Sequence, residues 1–141
     1  MSTEEEEWTF PWIEGDSLAP PCQSDDHVVM QILSLLDLTS KDRIMDLGCG
    51  DGRICIQAAK RFGAQGCGIE IEPELVQRGQ MLIQKEHLQD RVEIIQGDLL
   101  QHDLSNATAV VTYLLPEAME LLGPALIQAL ERGARVICNT T

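Results

Sequence analysis

Apolar positions along this chain alternate between two periods. Val28, Val29, Ile32, Leu33, Leu35 and Leu36 recur at helical spacing, which predicts a helix from a Ser24 or Asp25 cap to about Asp37. "DRIMDLG" (42–48) is short, largely apolar and closed by glycine, and reads as a first strand. From Asp51 to Phe62, the residues Ile54, Ile56, Ala58 and Ala59 mark a helix that Gly63 stops. The alternation continues through a strand "AQGCGIEI" and a helix opened by Pro73 and reaching about His87. Next come the strands "RVEIIQG" and "ATAVVTYLL", a helix over Glu117 to Glu131 ended by Gly133, and a strand "ARVICN". Strand and helix in alternation build a parallel sheet with helices on both faces, a Rossmann-like, doubly wound α/β fold. The nearly all-apolar strands "ATAVVTYLL" and "RVICN" suit burial on both faces. Such sheets bind ligands at the carboxyl ends of their strands. The residues to weigh are therefore Asp46–Gly52, Glu70–Glu72, Gly97–Leu99 and Thr112–Glu117.

Composition narrows the function classes. A chain of 141 residues, 44% hydrophobic and 23% charged, is long enough for one core and short of two. No apolar run approaches the ~20 residues of a membrane helix. The first ten residues, "MSTEEEEWTF", are acidic and do not resemble a secretory or arginine-rich targeting segment, so a cytoplasmic location is expected. Net charge is −13, unevenly spread: residues 1–42 hold ten acids and one base, residues 43–141 thirteen acids and nine bases. This balance opposes phosphate backbones, so nucleic acid is a poor partner, and basic or neutral partners fit better. Residues 1–23 read as an acidic, mobile arm whose Trp8, Phe10 and Trp12 suggest that it docks somewhere, with the folded domain over 24–141. Cys22, Cys49, Cys55, Cys67 and Cys138 are odd in number and lack a CxxC pair, which favours free thiols. His27, His87 and His102 are scattered and read as surface residues, with no metal cluster.

The first strand leads into Gly48-Cys49-Gly50-Asp51-Gly52. Arg53 stands where the dinucleotide fingerprint GxGxxG has its third glycine, and the P-loop Lys–Ser/Thr pair is absent. Asp51 would put a carboxylate near any pyrophosphate. At ~4 Å that repulsion is roughly 4 kcal/mol at an effective dielectric of 20, which argues against NAD and ATP. A nucleoside without phosphate and with a cationic tail fits better, and S-adenosylmethionine has that shape. A carboxylate ending the first strand pairs with its ammonium, and the glycines admit its methionine part. Glu70 ends the second strand at the spacing that puts an acid on ribose hydroxyls. Asp98 follows the third strand and can accept from the adenine amino group, with the Leu99 amide donating to the ring.

These residues carry a resemblance. "DLGCGDG", "GIEIEPE" and "GDLL", in this order, resemble the motifs of class I S-adenosylmethionine-dependent methyltransferases. "MDLGCGDGRICIQAAKRFGAQGCGIEIEPELV" and "VVTYLLPEAMELLGPAL" are similar to small bacterial methyltransferases and to the protein-lysine methyltransferases that modify the ATP synthase c-subunit and other proteins. The resemblance spans roughly Pro20 to Asn139. It implies a sheet ordered 3-2-1-4-5. It places Asp46, Gly48 and Gly50 around the methionine part, Glu70 on the ribose, and Asp98 and Leu99 at the adenine, with Cys49, Asp51 and Ile71 completing the cofactor-binding set. Part of the family is mitochondrial, which admits that location too, although no targeting segment is seen. Two departures stand out. "APPCQSDD" replaces a proline-rich P-x-V-P-[TS] segment before the first helix, so the resemblance does not carry over the choice of acceptor. The chain also stops at "VICNTT", so the strands that would be sixth and seventh are expected to lie outside it.

Methyl transfer to nitrogen needs alignment, a dry site and, for lysine, loss of a proton. Candidates for assisting it are Tyr113, Glu117 and Thr112, the first two with a structural alternative: Tyr113 as packing, and Glu117 as a helix-start acid after Pro116. The leading expectation is a methyltransferase acting on a protein lysine. The alternatives are a small-molecule or nucleic-acid methyltransferase, the latter lowered by "TYLLPE" in place of [DN]PP[YF], and a non-catalytic cofactor-binding or docking module.

Overall fold

The computed structural model describes residues 26–140. Helix α1 (Asp26–Leu36) leads into β1 (Arg43–Leu47), α2 (Arg53–Phe62), β2 (Gln65–Glu70), α3 (Pro73–Lys85) and β3 (Val92–Gln96). A 3-10 turn (Leu99–Gln101), β4 (Ala109–Leu114), α4 (Pro116–Glu131) and β5 (Arg135–Thr140) follow. The five strands form one sheet in the order β3-β2-β1-β4-β5, and every pairing is parallel. The arm at 1–23 and the Ser24/Asp25 cap lie outside the described residues.

Two apolar layers hold the sheet. On one face, Val29, Leu33 and Leu36 of α1, Cys55 and Ala58 of α2 and Val76 and Ile83 of α3 pack on Ile44, Ile94 and Val111. On the other, Leu122 and Leu126 of α4, with Leu99 and Leu104, cover Leu47, Ile69 and Val110. Strand alternation sends successive side chains to opposite layers, which is why both neighbours in Val110–Val111 are buried. At the amino edge Arg135 holds the layers together. It donates to the carbonyls of Leu36, the last residue of α1 (2.8 Å), and of Asp37 just beyond it (3.3 Å), and pairs with Asp42, which also accepts from Thr108 Oγ1 at 2.6 Å. These bonds hold the Asp42 carboxyl below its usual range against the opposing effect of burial.

Several boundaries differ from expectation for local reasons. The second helix begins at Arg53 rather than Asp51, because Gly52 has φ +83° and cannot join the helix. The first ends at Leu36, since Asp37 turns to φ 53°, and the third ends at Lys85, before His87 at φ 59°. Pro116 opens α4 one residue early. His27 and His87 are exposed, but His102 is half-buried, a correction to its reading as a surface residue. Its ring lies over Gly97, with Nε2 2.9 Å from where a Cβ would stand. Cys49, Cys55, Cys67 and Cys138 are free thiols, and Cys22 lies outside the described residues.

The sequence reading missed a close approach at β2. Gly68 has no side chain because Cys49 occupies the space: a Cβ at Gly68 would stand 2.5 Å from Cys49 Sγ and 2.8 Å from Cys49 Cβ. Gly68→Ala is therefore expected to destabilise the fold by about 1–3 kcal/mol, read from the urea midpoint, and Cys49→Gly in the same chain should recover most of it. A wild-type midpoint in Gly68→Ala alone would show that this contact does not set the spacing.

Candidate functional site

The turn after β1 explains its own glycines. Gly48, Gly50 and Gly52 all have positive φ, at 81°, 62° and 83°. Side chains are strained there, so the G-x-G-x-G spacing is first a demand of the backbone. The turn is fastened to β2: the Gly48 and Cys49 amides donate to the Ile69 carbonyl at 2.8 and 3.1 Å.

Glu70, the last residue of β2, is 5% exposed. Its Oε1 accepts from the Gly50 amide at 2.8 Å and its Oε2 from the Glu72 amide at 3.1 Å. A carboxylate has about four acceptor positions, so about two remain. Burial raises the Glu70 pKa, and the amides of Glu72 and Gly50 oppose that rise. Ile71 follows, half-buried in the bend between β2 and α3.

Asp46 stands one strand away. By strand alternation Asp46 and Glu70 fall on the same sheet face, that of Ile44 and Gly68. Asp46 is 4% exposed, and its carboxylate makes no hydrogen bond or ion pair with the other described residues. Burial, and secondarily the Glu70 charge, push its pKa up to about 7. The pair is a buried patch of negative potential with no cation among the described residues to balance it.

The remaining predicted residues divide. Asp51 is 4% exposed, but its carboxylate is held bidentately by Arg53, with Nε 3.2 Å from Oδ1 and Nη2 3.1 Å from Oδ2. Its charge is thus answered within the turn, a partner the sequence reading did not assign. Cys49 packs on Gly68, and burial first, then the charge of Asp46, raises its thiol pKa, so it stays a neutral packing group. Asp98 caps the 3-10 turn, its Oδ1 accepting from the Leu100 amide at 2.9 Å, and the Leu99 side chain is in the core. Around β4, Tyr113 is half-buried and Glu117 is exposed in the first turn of α4. Thr112 is 1% exposed, and its Oγ1 is wholly shut from solvent with no hydrogen-bond partner among the described residues.

A cavity of about 460 Å³ opens elsewhere, at the amino ends of β1–β3 against Arg43, Gln65, Arg91 and Asn106. It reaches as far as Met45 and Cys67, and neither Asp46 nor Glu70 lines it. Among the described residues no group of His, Cys, Asp or Glu is arranged to hold a metal ion, and no helix is long and apolar enough to cross a membrane.

Comparison with known proteins gives the family. A family model described as the ANTKMT methyltransferase domain matches residues 46–140. A protein-lysine N-methyltransferase of Saccharolobus islandicus is 36% identical over 121 residues, covering 85% of this chain and 75% of that protein. A ribosomal protein L11 methyltransferase of an Enterobacter species is 34% identical over 98 residues, 69% of this chain but 32% of its own length. Among solved structures, an RNA methyltransferase from Salinibacter ruber in complex with S-adenosyl-L-homocysteine superposes with a TM-score of 0.71 at 43% identity, covering 75% of this chain and 69% of that one. With the family model covering two thirds of its residues, the chain belongs to the ANTKMT methyltransferase domain family and is a class I S-adenosylmethionine-dependent methyltransferase.

Proposed function

We propose that the chain transfers the methyl group of S-adenosylmethionine to a protein lysine side chain. The observation that carries the cofactor site is the pair Asp46 and Glu70, buried on adjacent strands of one sheet face with no cation among the described residues. A buried carboxylate without a partner costs free energy, and a ligand that brings positive charge removes that cost. Asp46 would hold the ammonium group and Glu70, through its spare acceptor positions, the ribose hydroxyls. Gly48, Cys49 and Gly50 would line the methionine part with backbone, beside Asp51, while Ile71, Asp98 and Leu99 would flank the adenosine. When bound, S-adenosylmethionine supplies an electrophilic methyl on a sulfonium. The chain's own work is to align the acceptor at the end of β4, where Thr112, Tyr113 and Glu117 stand, and to keep water out.

The lysine acceptor is supported by the 36% identical relative described as a protein-lysine N-methyltransferase. A second reading, an RNA acceptor, draws on the 43% identical relative described as an RNA methyltransferase. The acids at the carboxyl ends of these strands weigh against a phosphate backbone there. Incubating the protein with methyl-labelled cofactor and a cell lysate separates the readings. Label in protein, recovered as methyl-lysine after acid hydrolysis, is expected. Label that disappears with ribonuclease and survives protease would establish the RNA reading instead.

A further inference from the structure

We propose that His102 is a positioning residue for the adenine end of the cofactor and sets the selectivity for that base, a proposal that rests on the cofactor placement above. On that placement Asp98 accepts from the adenine amino group and the Leu99 amide donates to the ring. Both residues belong to the 3-10 turn after β3, Asp98 as its cap. The turn holds its own shape: Asp98 Oδ1 accepts from the Leu100 amide at 2.9 Å, and the Asp98 carbonyl accepts from the Gln101 amide at 3.0 Å. The Leu99 side chain pins it to the core. Asp98, one residue nearer the strand, takes its direction from Gly97. Glycine has the widest backbone freedom of any residue, and here it stands directly before the group to be aimed.

Two contacts fix Gly97. Its amide donates to the Glu70 carbonyl at 3.0 Å, which ties the adenine turn to the acid proposed for the ribose. The His102 ring then closes back over it from the far end of the turn. Beyond the chain neighbours of Gly97, the three atoms nearest to where its Cβ would stand are His102 Nε2 at 2.9 Å, Cε1 at 3.7 Å and Cδ2 at 4.0 Å. Gly48, Gly50 and Gly52 are demanded by positive φ, but Gly97 is not among the positive-φ residues. The backbone at 97 would accept a side chain, and the ring is what claims the space. His102 is half-buried, and its ring makes no hydrogen bond with the other described residues, so it holds Gly97 by contact alone. One hydrogen bond to Glu70 leaves Gly97 able to turn about it, and the ring removes that freedom. A recognising group must be held within ~0.5 Å by the residues behind it, which is the part His102 plays for Asp98.

The test titrates the full chain with S-adenosylhomocysteine and with S-inosylhomocysteine, which differ only at the base. Hypoxanthine turns a carbonyl toward Asp98 and an N–H toward the Leu99 amide, so wild type is expected to prefer the adenine ligand about 100-fold. His102→Ala should cut that preference about tenfold, through lost affinity for the adenine ligand. Gly97→Ala is the second variant. It keeps the histidine but sets a methyl against the end of its ring, which can swing aside, so the chain should fold and lose the preference to a similar extent. Urea midpoints identify the folded variants. A residue that only packs would lower stability, or both affinities together, and leave the ratio between the ligands unchanged. The wild-type ratio in folded His102→Ala and Gly97→Ala therefore overturns the proposal while leaving Asp98 and Leu99 at the adenine. A ratio near one in wild type itself would remove Asp98 and Leu99 from the adenine edge, and this role of His102 with them.

Discussion

Glu70→Ala is expected to weaken S-adenosylmethionine binding by at least about 100-fold, measured by calorimetric titration. On the proposed assignment the change removes two charge-assisted hydrogen bonds to the ligand, each worth roughly 1.5–3 kcal/mol. It also releases the Gly50 and Glu72 amides, which Glu70 holds at 2.8 and 3.1 Å. Part of the loss would therefore come from a loosened turn. Two measurements separate the parts. Glu70→Gln keeps an acceptor for Gly50 but loses the charge, so it should recover turn stability in urea while recovering little affinity. Cofactor affinity at the wild-type level in folded Glu70→Ala would take Glu70 out of the site.

Asp46→Asn should move stability and binding in opposite directions. The Asp46 pKa is raised to about 7, by burial first and then by Glu70. For an acid, a raised pKa means that the folded, ligand-free protein holds the proton more tightly than the unfolded chain. Stability is then highest where Asp46 is protonated and falls as pH rises from the ordinary carboxyl value through about 7. Removing the charge should thus raise the stability of the ligand-free protein by about 1–3 kcal/mol at about pH 8, and little at about pH 4. The same change removes the group proposed to hold the ammonium, so affinity should fall at least about tenfold. Wild-type affinity should itself rise with pH up to about 7, because the ligand displaces a proton from Asp46, and Asp46→Asn should lose that slope. An unchanged melting temperature at alkaline pH, together with a retained slope, would falsify this account of Asp46.

Both expectations follow from the cost of burying an acid at a strand end. With its raised pKa Asp46 is expected to destabilise the ligand-free fold at alkaline pH, whereas Glu70 both latches the turn and retains acceptor capacity. A site of this kind is stable in full only with its ligand in place. Asp51 differs, since Arg53 balances its charge within the turn without a ligand.

The sequence by itself determined the elements and the edge on which the site lies. Hydrophobic period and glycine or proline punctuation are local quantities, so the strands and helices could be read within a few residues, and with them the parallel alternation. Acids after three successive strands were legible for the same reason, because a parallel fold brings strand ends together. Tertiary structure decided what those acids do. The bond from Gly50 to Glu70 spans 20 residues, and the pairing of Asp42 with Arg135 spans 93. No window of sequence contains such pairs. Nor could period reveal that Gly68 is empty to admit Cys49, or that His102 folds over Gly97. Protonation was the least legible, since "MDLG" gives no sign that Asp46 is shut from water and faces Glu70 across one strand. Desolvation depends on everything that surrounds a group, and only the packed chain sets it.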